Sequence, residues 1–318
     1  MNVICMGVHV LDVLVHPVSE LPTGQQTALV ENIRMTPAGT AAGTAVILAK
    51  LGATVRTAGA IGTDPTGDLL LMLLERYGID TSLVVRKSGA PTSTTILPIH
   101  PNGDRPTLHL LGANPFYTPE DINWDALATA DHLHLGGPEL LGAPNAARIL
   151  QQAKASGLTT SADLLAPGSL GSMEAIAPAL PHLDYLLPNE DQALGFTNTT
   201  DLIAACHVLH SAGVGALAIT RGADGALLFA PNQIQEFPAY PTIVVDTTGC
   251  GDAFSAGFLR ALSLHRDLPA AVRLGAATAA HVAQGLGTDF GDYTLATIDD
   301  FIATHPISTT EDVSTPQP

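Results

Sequence analysis

The feature that most constrains the fold is a rhythm. Short apolar runs of strand length alternate with longer runs of helical length along nearly the whole chain. Residues 2–7, 54–61, 132–135, 158–163, 185–188 and 216–220 read as short buried strands. The segments between them carry helix start and stop signals. Residues 40–51 read as a helix closed by Gly52, where a C-terminal cap belongs. Asp64 is an N-cap, Pro65 suits the first helical position, and the apolar stretch runs on to Gly78. Thr118-Pro119-Glu120-Asp121 opens another helix by the same logic. Further helices are expected over 145–156, from near Asn189, and over 201–212, 250–264 and 269–284. The last two are rich in small residues, which favours close packing. Residues 226–229 and 233–237 read as a hairpin. Strands alternating with helices predict an α/β fold with a mostly parallel sheet covered on both faces.

Two stretches break the rhythm. Residues 10–35 are rich in Val, Thr and Pro without helical period, and residues 92–111 alternate around the turn-like Pro101-Asn102-Gly103-Asp104. They read as a small antiparallel sheet set on the main one, or as an extended edge of the main sheet. The tail from Ser308 is polar and proline-containing and reads as frayed.

Composition narrows the function. With 46% hydrophobic residues over 318, the chain can bury a large core, which excludes disorder as its main state. Charges at Lys50, Arg56, Arg76, Arg260 and Arg273 break the apolar runs before the ~20 residues a spanning helix needs. Residues 1–7 have no basic segment or cleavage-like site, so no signal peptide is expected. Cys5, Cys206 and Cys250 are too few and scattered for a disulfide framework or zinc site, which predicts a cytoplasmic protein. Thirteen basic and 30 acidic residues give a net charge of −17. Such a surface repels nucleic acid and anionic lipid, so neither is an expected partner. An anionic ligand must be held by backbone amides, a metal or a few local arginines.

One segment answers that requirement: Asp246-Thr247-Thr248-Gly249-Cys250-Gly251-Asp252-Ala253-Phe254-Ser255-Ala256-Gly257-Phe258. It follows a predicted strand over 242–245 and opens a helix. Its glycines let successive N–H groups point at one spot, and the helix N-terminus adds its positive dipole end. This is an anion hole made without lysine. Asp252 stands at its mouth, where a carboxylate beside a phosphate suits general-base removal of a proton from an attacking hydroxyl. The plainer alternative is an Asp that merely stabilises the helix dipole.

The string resembles the second signature of the PfkB family, the ribokinase-like carbohydrate and nucleoside kinases, usually written Asp-Thr-x-Gly-Ala-Gly-Asp-x-Phe. Cys250 for Ala is the only mismatch. Other family-like pieces follow in order: Gly59-Ala60-Ile61-Gly62-x-Asp64-x-x-Gly67, Gly78-Ile79-Asp80, Pro91-Thr92, Gly103-Asp104-Arg105, Pro188-Asn189-Glu190 and Thr220-Arg221-Gly222-Ala223-Asp224-Gly225. The resemblance spans about residues 1–305. It implies a ribokinase-like three-layer αβα sandwich, with a mostly parallel central sheet and a small β-sheet lid formed by about 10–36 and 91–112. The polar tail, 306–318, lies outside it.

The resemblance also implies roles. Asp252 matches the catalytic base, and Gly249, Cys250, Gly251 and the Asp252 amide match the anion hole for the transferring γ-phosphate. Thr220, Gly222 and Gly225 match the loop near the nucleotide, and Asn189 falls in the Asn-x-x-Glu motif on the cofactor side. Asp12 matches an aspartate that binds substrate hydroxyls from the end of the first strand. Gly39 matches the second glycine of the Gly-Gly substrate loop. The family uses ATP with Mg²⁺ and many members are activated by K⁺, for which Asp246 and Thr248 are the matching positions. A lid of this kind often makes a homodimer.

Three departures stand out. The first signature, Gly-Gly-x-x-x-Asn, reads Ala38-Gly39-Thr40-Ala41-Ala42-Gly43, so Gly43 replaces the Asn that holds a sugar hydroxyl. Asn-x-x-Glu reads Asn189-Glu190-Asp191-Gln192, so neutral Gln192 replaces a carboxylate that organises Mg²⁺ waters. Gln192 is expected still to bind water, with Glu190 or Asp191 as substitutes toward Mg²⁺. Asp163-Leu164-Leu165-Ala166-Pro167 lacks the usual Asn and Arg. Cys250 is either a reactive thiol at a helix N-terminus or a buried small residue in place of Ala. His132 and His134 share a strand face with no third ligand, and read as strand residues. His9 and His16 lie near the expected substrate mouth, and Arg105 reads as a solvated turn residue or an anion contact. Ser93 and Ser161 lack any nucleophile context. The expected function is ATP-dependent phosphotransfer to a hydroxyl of a sugar, sugar derivative or nucleoside. The alternative is a catalytically weak binding protein on the same scaffold, suggested by Gly43 and Gln192.

Overall fold

The structure, a computed structural model, describes residues 1–101, 104–165, 171–308 and 310–311. Asn102 and Gly103 of the predicted turn, Ala166-Pro167 and most of the polar tail lie outside the described residues. In chain order the first strands are β1 (Asn2–Gly7), β2 (Val10–His16), β3 (Asn32–Ala38), β4 (Thr54–Gly62), β5 (Asp80–Lys87), β6 (Thr94–Pro98) and β7 (Leu108–Leu110). They are followed by β8 (His132–Gly136), β9 (Thr159–Asp163), β10 (Tyr185–Leu186), β11 (Ala216–Thr220), β12 (Ala226–Ala230), β13 (Gln233–Phe237) and β14 (Thr310–Glu311).

The main sheet has the order β14-β13-β12-β11-β10-β9-β8-β1-β4-β5. From β5 across to β11 every pairing is parallel, and the β11–β14 end is antiparallel. The central strand β1 shows why the layers form. Val3 and Cys5 pack into one apolar layer, while Ile4 and Met6 pack into the other. Alternate side chains leave opposite faces of a strand, so a wholly apolar strand needs cover on both. Helices Ala42–Lys50, Cys250–Ser263 and Leu268–Val282 cover the first face, and helices Ala143–Ala155 and Leu202–Ser211 the second. Among the described residues no helix is long and apolar enough to cross a membrane.

The second sheet has the order β3-β2-β6-β7. It is mixed and not antiparallel as expected, because β2 and β6 are parallel. Both strands leave the same end of the main sheet, β2 from β1 and β6 from β5, and so they run the same way. In β2, Asp12 and Leu14 are turned to one side and Val13 and Val15 to the other.

Two further expectations fail. Residues 242–245 form no strand: Val245 and Asp246 both donate their amides to the Ala283 carbonyl, while Ile243 is 82% exposed. The run lies against the end of helix Leu268–Val282 and meets no sheet edge. Thr118–Asp121 carries a capping box, yet it opens a single 3₁₀ turn, Pro119–Asp121. Ile122 is then extended, and Asn123 caps a separate short helix, Trp124–Leu127. The polar tail is also partly ordered in its backbone, since β14 pairs with β13.

Candidate active site

Sheet topology fixes where the site lies. The chain runs from β1 outward to β4 and β5 on one side, and through β8, β9, β10 and β11 on the other. Crevices open at the carboxyl ends of such strands. A cleft of about 600 Å³ opens there, and its walls include Thr40, Asp163, Asn189, Thr220, Gly249 and Asp252.

Gly249 is the N-cap of helix Cys250–Ser263 and has φ 78°, in the left-handed region. A Cβ at Gly249 would lie 2.5 Å from Thr288 Oγ1, so the turn requires glycine on two grounds. The Cys250 amide is spent on the Thr247 carbonyl at 3.2 Å, and the Ala253 amide on Gly249. Of the expected donors, the Gly251 and Asp252 amides have no backbone acceptor among the described residues. They face a cleft lined by both residues. The Cys250 amide is therefore not one of the donors.

Asp252 is buried in the first turn, and its carboxylate lies against Gly43. A Cβ at Gly43 would fall 2.1 Å from Asp252 Oδ2, so the residue that departs from the first signature is the one that makes room for the Asp252 carboxylate. Asp163 ends β9, with its Oδ2 3.5 Å from Ser255 Oγ, one turn beyond Asp252. Asp12 is also buried, on the lid strand β2 and not at the end of the first strand. Burial raises all three carboxyls. Asp252 is raised well above the usual carboxylate range by burial, then by the charges of Asp163 and Asp12. Asp163 is pushed up to about 8 by burial, with Glu139 adding to it, and Asp12 to about 6.

The residues expected on the cofactor side stand at neighbouring strand ends. Asn189 and Thr220 form a parallel bridge, and the Thr220 amide donates to the Pro188 carbonyl. Gly222 lines the cleft in the turn after β11. Gly225 does not line the cleft: it packs on the Phe237 carbonyl. Gly39 sits beside Val8, whose carbonyl accepts the Ala41 and Ala42 amides and seats the helix carrying Gly43.

Arg105 is no mere solvated turn residue. Its Nε donates to Thr247 Oγ1 at 3.1 Å and its Nη1 to Thr248 Oγ1 at 3.2 Å, which brings a cation to the turn that precedes Gly249. Asp246, expected to hold K⁺ with Thr248, is already neutralised. Its Oδ1 accepts the Thr248 amide and hydroxyl, its Oδ2 accepts the Gly287 amide, and the Arg105 guanidinium is 3.8 Å away. Three acceptor positions of the Asp246 carboxylate are thus taken within the chain.

His9 faces inward and not toward a substrate. Its Nδ1 pairs with the Gly7 carbonyl and its Nε2 with Thr57 Oγ1. His132 and His134 are held by Thr159 and Ser161 hydroxyls. Cys250 is not an activated thiol. Burial pushes its pKa up to about 12, and the Asp246 and Asp252 charges oppose a thiolate.

The profile described as pfkB family carbohydrate kinase matches residues 2–294. The chain belongs to the pfkB family of carbohydrate kinases. It is an enzyme of the phosphotransferase class, with the ribokinase-like fold expected from its signatures. It is 29% identical over 248 residues to an ATP-dependent ribose-1-phosphate kinase of Halopiger xanaduensis, covering 76% of this chain and 78% of that protein. It is 25% identical over 292 residues to a nucleoside kinase of Methanothermobacter thermautotrophicus, covering 90% and 91%. A ribokinase structure from Thermotoga maritima superposes with a TM-score of 0.79 at 26% identity, over 95% of this chain and 99% of that one.

Within this family the Gln192 departure has a structural cause. Gln192 Oε1 accepts the Asn189 amide at 2.7 Å, and its Nε2 donates to the Leu164 and Leu165 carbonyls at 2.7 and 2.8 Å. Its Nε2 is spent on the two carbonyls, which leaves one lone pair of Oε1 for the water expected from the sequence. A carboxylate there would face two carbonyl oxygens with nothing to donate. Glu190 lines the cleft beside it, with Oε2 3.7 Å from Arg221 Nε. Mg²⁺ in such sites takes one or two carboxylates, waters and substrate phosphates, and Glu190 fits that use. Among the described residues no group of three or more His, Cys, Asp or Glu is placed to cage a metal. Thr40, Asp163 and Arg221 are among the polar cleft residues to which sequence reasoning gave no role. Only Asp163 carried a signal, its place at the carboxyl end of a strand.

Proposed function

We propose that this kinase transfers the γ-phosphoryl group of ATP to a hydroxyl of a sugar, sugar derivative or nucleoside. The observation that carries the reading is the buried Asp252 carboxylate on the first turn of a helix whose free amides face the same cleft. Asp252 takes the proton of the acceptor hydroxyl as its oxygen attacks. The Gly251 and Asp252 amides and Arg105 hold charge on the transferring group. Asp12 orients acceptor hydroxyls from the lid side. Mg²⁺, bound through Glu190 and the phosphates, would neutralise phosphate charge. The test is ADP release with Mg²⁺ over sugars, aminosugars, sugar acids and nucleosides. An acceptor-dependent signal supports the reading. ATP binding with no product across the panel supports a binding protein. A nucleoside acceptor is the second reading, favoured by the long match to a nucleoside kinase.

The base must lose its proton to act, and burial first, then the neighbouring carboxyls Asp163 and Asp12, raise the pKa at which it does so. Asp163→Asn removes the second of these causes and leaves burial in place, so it is expected to move the acid limb of the kcat/KM profile part of the way to lower pH. An unmoved limb would remove Asp163 from this role.

The lid also supports a homodimer. Met35, Val13, Ile96 and Leu108 stand in register across its four strands on one face. Met35, Ile96 and Leu108 are exposed, as are Ile33 and Leu110. On a chain of net charge −17, a face of uncharged apolar rows is self-complementary to a second copy. Met35→Glu is expected to convert a dimer to a monomer in sedimentation. A wild-type monomer would refute the dimer.

A further inference from the structure

Lys50 is the last residue of helix Ala42–Lys50, whose other end lies against Asp252. Its ammonium donates to three backbone carbonyls in succession, those of Asp289, Phe290 and Gly291. The same ammonium stands 4.2 Å from the centre of the Tyr293 ring. Three converging carbonyls and an aromatic face make a cation site, and the cation is covalently attached. Arg34 Nη2 and Thr36 Oγ1, both on lid strand β3, donate to Asp289 Oδ1 at 2.8 and 2.7 Å. Tyr77 donates to its Oδ2 at 2.7 Å.

The loop held this way supports the anion hole. The Gly287 amide donates to Asp246 Oδ2, and Thr288 packs against Gly249. Lys50 thus fixes the segment behind the turn that presents the Gly251 and Asp252 amides. The Asp246 site meanwhile carries its own donors and a guanidinium.

We infer that Lys50 is a resident cation that positions loop 287–291, and that it makes this kinase independent of added monovalent cations. The inference rests on the proposed anion hole for its effect on turnover, but its effect on folding stands alone. Burial lowers the Lys50 pKa to about 8 against the charges of Asp289 and Asp292, so the ammonium still dominates at pH 7.

The test uses the full chain in choline chloride, potassium chloride and ammonium chloride. Wild-type kcat and Tm are expected to be the same in all three after correction for ionic strength. Lys50→Ala empties a carbonyl-lined site. Its kcat is expected to fall about tenfold or more in choline, with acceptor KM little changed, and to recover in ammonium or potassium. Its Tm is expected to rise with ammonium where wild type does not respond. Lys50→Met, which keeps the apolar stem, serves if Lys50→Ala does not fold. Undiminished kcat for the variant in choline, or a Tm indifferent to ammonium and potassium, would overturn the inference. The Tm readout decides even if no acceptor is found, so failure here is distinct from failure of the kinase reading.

Discussion

Asp252→Asn is expected to lose turnover by on the order of 10²–10⁴ while keeping its fold and its affinity for ATP. The amide fills the same space against Gly43 but cannot take a proton. Binding should survive, because the Gly251 and Asp252 backbone amides, Arg105 and the Thr220 strand end are untouched. The variant should also be at least as stable as wild type at pH 7. Asp252 has a higher pKa folded than unfolded, so the native state holds its proton more tightly. Its contribution is fully present below the ordinary carboxylate pKa and is lost as pH rises through the raised folded value. Asn has no such loss. Steady-state kinetics, calorimetry with ATP and a thermal melt check all three statements. Near-normal turnover would remove Asp252 as the base.

Gly43→Asn, which restores the residue usual in the first signature, is expected to lower activity and not to improve it. Its Cβ would fall 2.1 Å from Asp252 Oδ2 and 3.0 Å from Thr288 Cγ2. Either the carboxylate swings out of place or the helix start shifts. A displacement near 1 Å costs on the order of 10²-fold in turnover, and overpacking a buried site costs about 1–3 kcal/mol. Gly43→Ala should show most of the same loss, because the clash begins at Cβ. Kinetics with the best acceptor and a thermal melt are the measurements. A gain in kcat with Asn would mean that the Asp252 carboxylate is free to adopt another position. Thr40, which lines the cleft with a buried hydroxyl that has no partner among the described residues, is the group proposed to replace the hydroxyl-binding amide of the usual Asn.

Much of the architecture was written in local signals. Asp64, Asn189, Asp201 and Asp267 each accept the amide three residues on and start a helix, which depends only on neighbours in the chain. Apolar runs such as Ile4 to Met6 fixed strands buried on both faces. The turn at Gly249 and the placement of Asp252 were legible because one short segment carries both. Where a local signal lacked a partner it misled. Residues 242–245 had strand composition but no sheet edge to join, and the Thr118 box was followed by a single 3₁₀ turn that ends at Asp121.

Order along the chain was enough for the family, the parallel sheet and the segment that carries Gly249 and Asp252. What surrounds the Asp252 carboxylate is set by packing, because those contacts join residues far apart in the chain. Gly43 meets Asp252, Arg105 reaches Thr247 and Thr248, and Gln192 binds the carbonyls of Leu164 and Leu165. Lys50 closes on 289–291 in the same way. Capping and alternation depend on neighbours three or four residues away and can be read in order. Which carboxylates share a buried space, and which cation a loop receives, depends on how whole layers pack.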